Sequence, residues 1–151
     1  MVVDGTNEFV GSNPRSANEA FLKAVNAPKR PIRISSITQE RTNILRAHVE
    51  TESLPASLDS GEVEVYLAVA LNSAESHVSR GENGERMLAH TAVVRNLVKI
   101  GSLRKGQIFA QDVQLKVESG ADSHNLRLIA FLQEPRQGRV VGATVELVGA
   151  R

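Results

Sequence analysis

The chain has 151 residues, no cysteine, and acidic and basic side chains that nearly cancel to a net charge of +1. That length suits one domain, or one domain with an appendage, and buries enough surface to fold without disulfides or metal. The missing thiols exclude Cys-based catalysis and Cys-ligated zinc, and the balanced charge with only four Phe, one Tyr and no Trp gives no footing for nucleic acid.

No apolar run is long enough to span a membrane, so no membrane insertion is expected. The first elements are compact. Met1 to Val3 form a short apolar strand, "DGTN" carries the Asp-Gly chemistry of a reversing turn, and "EFV" returns. After Gly11, "SNPRSANEAFLKAVNAPK" reads as a helix. Ser12 or Asn13 can cap it, Pro14 fits its first turn, and Pro28 closes it. Ala17, Ala20, Phe21, Ala24 and Val25 recur at helical spacing and predict one apolar face.

From Ile32 onward the period falls to two. Leu45, Ala47 and Val49 alternate with polar neighbours, as do Val63, Val65, Leu67, Val69 and Leu71. Phe109, Val113, Leu115 and Val117 follow, then Leu126, Leu128, Ala130 and Leu132, then Val141, Ala143, Val145 and Leu147. Half-buried antiparallel strands are built this way. Segment 91–100 fits either a helical stripe or alternation, and its β-branched content favours a strand. With "IRISSI" the count is about seven strands. The expected fold is mainly β: a seven-stranded antiparallel β-sandwich over 31–151, immunoglobulin- or fibronectin-III-like, preceded by a β-hairpin and one α-helix over 1–30.

Residues 73–90 lack strand periodicity and are expected to form a long polar loop, the most informative surface of the chain. Arg80, Glu82, Asn83 and Arg86 cluster there, with His90 at its end. Paired guanidinium groups could recognise a carboxylate or phosphate on a partner. The plainer reading is local pairing of Glu82 with Arg86. His90 reads as a structural imidazole before a general base, since no orienting partner is evident. The four histidines, His48, His77, His90 and His124, show no ligand spacing, so no metal, cofactor or catalytic residue is expected. Arg95 is expected buried or half-buried in mid-strand, where it either snorkels to solvent or pairs with an acidic neighbour.

"MVVDG…EFVG…NPRSANEAFLKAV" resembles the end of a thioredoxin fold, in which two hairpin strands lead into a final helix that covers the sheet. More narrowly, "SRGENGERMLAHTAVVRNLVKIG" and "LRLIAFLQEPRQGRVVGATVEL" are similar to the C-terminal part of a bacterial family of secreted thioredoxin-like proteins of unknown function. The resemblance implies that residues 1–30 are the remnant of a thioredoxin-like domain whose Cys-x-x-Cys motif and cis-proline would lie upstream. It implies a noncatalytic accessory or interaction domain, not an enzyme as this chain stands. The alternative is one part of a periplasmic thiol-disulfide oxidoreductase. A protein partner is expected, either the parent's own redox domain or another protein, and a homo-oligomer could form through the N-terminal helix. A periplasmic or secreted location follows from the resemblance alone.

Overall fold

The computed structural model describes residues 1–40, 43–54, 61–77, 79–80 and 86–149. Among them the chain is mainly β, with antiparallel sheets and one α-helix. Nine strands among the described residues fall into three sheets. β1 (Val2–Val3) and β2 (Asn7–Glu8) form a two-stranded ribbon. Its turn holds Asp4 at φ 59 and Gly5 at φ 80, the left-handed backbone for which Asp-Gly is suited.

α1 (Pro14–Asn26) starts as its residues dictate. The Asn13 side-chain oxygen accepts from the Ser16 amide at 3.1 Å, satisfying a first-turn donor, and Pro14 follows the cap. The helix buries only Ala20; Ala17 and Ala24 are partly covered, while Phe21, Leu22 and Val25 remain exposed.

β3 (Ile32–Glu40), β4 (Ile44–Thr51) and β7 (Phe109–Lys116) form a sheet in the order β3-β4-β7. β5 (Glu62–His77), β6 (Met87–Arg104), β8 (Leu126–Gln133) and β9 (Val140–Leu147) form a second, ordered β6-β5-β8-β9. Every one of these seven strands sends residues into a single apolar cluster, which includes Leu45, Val49, Leu67, Phe109, Leu128 and Val141. The cluster is almost wholly aliphatic, and among the described residues no polar or charged residue is buried. Segment 91–100 is strand, lying within β6.

The N-terminal unit is pinned to one end of this body. Asp4 O accepts from the Val140 amide at 2.9 Å, and the Arg30 amide donates to Val141 O at 2.7 Å. Lys29 bridges the two parts, pairing with the Asp4 carboxylate and donating to Val140 O at 2.8 Å.

Two details depart from the alternation. The residues expected as a loop over 73–90 are partly strand, since β5 runs to His77 and β6 starts at Met87. Both faces of this outlying ribbon meet solvent, so no period-two signal marks it. In β9, Val141 points into the core, but Ala143, Val145 and Leu147 point out. A register shift between Leu132 and Gln133 inserts one residue, and a one-residue slip moves every later side chain to the other face.

Candidate functional site

Of the expected interaction cluster, Glu82 and Asn83 lie outside the described residues. Arg80 is exposed at a bend, and Arg86 is exposed just before β6. His90 lies within β6, opposite Ala74, and its Nε2 is 2.7 Å from the Ser76 Oγ one cross-strand position away. A serine bonded to a histidine has the first two parts of a nucleophilic relay. Such a relay needs a third group to orient the base and donors for an oxyanion, and neither arrangement is present among the described residues of this exposed ribbon. The bond ties the two strands of the ribbon together. No group of three or more His, Cys, Asp or Glu among the described residues is placed to hold a metal ion.

The structure assembles a second polar cluster where the two larger sheets part, between β6 and the segment following β7. Another register shift, between Val69 and Ala70, leaves Arg95 as an extra residue in β6. Bulges re-aim side chains, and this one turns Arg95 toward Glu118, whose Oε1 accepts from Arg95 Nε at 2.9 Å. Arg95 is exposed, not half-buried as its mid-strand position implied. Behind this pair opens a cleft of about 240 Å³ with Val69, Leu71, Leu126 and Val117 as its apolar walls and Lys116 at its rim. The Asn96 amide steadies one side by donating to Lys116 O at 3.3 Å. Chemically, the cleft can take a small apolar group and offers ionic groups of both signs at its mouth. Sequence reasoning found Arg95 as a cation out of place but had no means to pair it with Glu118, 23 residues away.

A third cluster lies on the outward face of the four-stranded sheet. Tyr66 and Phe131 are cross-strand neighbours and stack with ring centroids 5.1 Å apart. Glu64 accepts from Lys99 Nζ at 2.6 Å and from the Tyr66 hydroxyl at 2.8 Å. The Lys99 hydrogen bond, then that of Tyr66, holds the Glu64 carboxyl below its ordinary value of 4.5. The same bonds to Glu64 raise both Lys99 and Tyr66. These are contacts that fix one state of an exposed network, and no reacting group is poised among them.

Among solved structures the chain is similar to HBP35 of Porphyromonas gingivalis, with a TM-score of 0.67 at 16% identity over 98% of this chain and 50% of that one. At that identity the likeness is one of fold, and this chain spans half the length of its counterpart. A weaker match, TM-score 0.45 at 8% identity, is to Spo0M, the sporulation control protein from Bacillus subtilis, over 80% of this chain and 48% of that one. No curated protein matches the chain. A family model does match, over residues 1–133: the chain belongs to DUF1223, a family of proteins of unknown function.

Proposed function

We propose that this chain is a noncatalytic accessory or interaction module of a thioredoxin-like protein. In this reading β3–β9 are a sandwich of the immunoglobulin or fibronectin type III kind, and residues 1–30 close a thioredoxin-like domain. The observation that carries it is the uneven division of the apolar core. The seven strands of the body share one closed cluster. Residues 1–30 bury Ala20 and leave Phe21, Leu22 and Val25 exposed along one helix. An amphipathic helix with its large side chains uncovered is what a sheet-covering helix looks like without its sheet. Coverage of only half of HBP35 agrees with a longer parent.

The module's work is then to pack on the parent's redox domain or to present a surface to another protein, in the periplasm or outside the cell. The rival reading makes the body part of a thiol-disulfide oxidoreductase whose cysteines lie upstream. Deleting residues 31–151 from the longer parent separates the two. An accessory module leaves the thiol-exchange rate of the remaining domain within about twofold while lowering its melting temperature; a rate loss beyond about tenfold puts the body in the chemistry. A parent with no thioredoxin-like domain upstream ends both readings.

A further inference from the structure

The outward face of the four-stranded sheet carries apolar residues on all four strands, with Lys99 and Arg127 among its outer rows. Cross-strand pairing arranges it in three rows. The middle row is Leu97, Ala68, Ile129 and Val145. On one side of it lie Lys99, Tyr66, Phe131 and Ala143, and on the other Val94, Ala70, Arg127 and Leu147. A sheet face meant for water would alternate polar residues here. Instead Val94, Leu97 and Val145 are each 52% exposed and Leu147 is 49% exposed. Ala68 and Ala70 lie buried at the floor of a shallow trough between the larger side chains.

We propose that this face is the contact between two copies of the chain, related by a two-fold axis running across the strands through the middle row. The chemistry of the rows selects a second copy as the occupant. About such an axis each middle-row residue meets itself, apolar against apolar, and each outer row meets the other outer row of the second copy. Large then faces small: Tyr66 lies against Ala70, and Leu147 against Ala143. Arg127, steadied by a 2.6 Å bond from its Nε to the Asn72 side-chain oxygen, faces the Phe131 ring, a cation–π pairing. Lys99, already neutralised by Glu64, faces Val94. No like charges meet.

The area sets the strength. Four strands about 4.8 Å apart and three rows about 6.8 Å apart give roughly 400 Å² per copy. Patches of that size on a monomer are often functional, and two of them fall just under the roughly 1,000 Å² of a stable interface. The dimer is therefore weak and concentration-dependent. It does not rest on a thioredoxin-like parent, and it differs from association through α1.

Sedimentation equilibrium of the chain tests it, with variants Leu97→Glu, Leu97→Lys and Phe21→Glu checked for unchanged circular dichroism. The expected result is a dimer for the wild-type chain and for Phe21→Glu, with association at least about tenfold weaker for each Leu97 variant. Because Leu97 meets Leu97, a 1:1 mixture of Leu97→Glu and Leu97→Lys should recover the dimer. A wild-type chain that stays monomeric up to about 1 mM overturns the proposal, since even a contact worth only about 4 kcal/mol dimerises there. So does a mixture that fails to recover. Loss of the dimer in Phe21→Glu with retention in Leu97→Glu moves the contact to the helix and also overturns it.

Discussion

At the scale of single residues the clearest physics is the Glu64–Tyr66–Lys99 cluster. Glu64 is depressed below 4.5 by its bonds to Lys99 and Tyr66. Its contribution to stability is fully present above that ordinary value and is lost as pH falls through the lower, folded value. Chemical denaturation at a series of acidic pH values should therefore show a decline that Glu64→Gln flattens. Tyr66 shifts the other way, above 10.0, because its hydroxyl proton is held by Glu64. Its contribution is present below 10.0 and disappears as pH rises through the raised value. With one tyrosine and no tryptophan in the chain, the ultraviolet signal of tyrosinate reports this group alone. Its midpoint should lie above 10.0 and drop toward it in Glu64→Gln. An unshifted midpoint would mean that the hydroxyl does not bond to Glu64 in solution. A different constraint acts at Gly142, where a Cβ would run into the Arg30 backbone carbonyl and meet Leu132 Cδ1 at 3.4 Å. Gly142→Ala should cost about 1–3 kcal/mol in denaturant melts, since backbone cannot move aside as a side-chain tip can.

At the scale of elements, legibility followed exposure to a single-sided environment. β4 and β8 each bury one face, so Leu45, Ala47 and Val49, or Leu126, Leu128, Ala130 and Leu132, were readable as core from alternation alone. α1 was equally plain, because its cap, its first-turn proline and its apolar spacing are all local signals. Asn13→Ala should fray the first turn at a cost of about 1 kcal/mol, seen as faster amide exchange over the first helical turn with the body unaffected. The ends of β5 and β6 were not legible, for a ribbon wet on both faces has no period. Nor were the bulges at Arg95 and near Val140. A bulge changes which face a side chain takes without changing the residues, so Val145 and Leu147 looked like core from their spacing yet stand in solvent. The candidate site rested on sequence proximity alone. Arg80, Glu82, Asn83, Arg86 and His90 were grouped by sequence proximity, but His90 turns to Ser76 and Arg95 to Glu118 through pairings that only folding creates.

At the scale of the whole molecule the two parts of the chain differ in how they are held. The body has one cluster reached by all seven of its strands, in which Leu67 is 1% and Leu128 0% exposed. Truncating either to Ala should cost about 2–5 kcal/mol in a single cooperative transition. Residues 1–30 hold on through Asp4, Lys29 and Arg30 at the start of β9. A chain beginning at Pro31 should therefore still unfold cooperatively, with only a modest fall in melting temperature; loss of the cooperative transition would show that the hairpin and helix belong to the same folding unit. Composition and periodicity by themselves determined that this chain is aliphatic-cored, mainly β and without cysteine, because strand alternation, turn residues and helix caps act between near neighbours. Only the tertiary structure decided the sheet order, the Arg95–Glu118 cleft and the apolar outer face across β6, β5, β8 and β9. Each of these depends on the register between strands far apart in sequence, and register is fixed by packing against a common core.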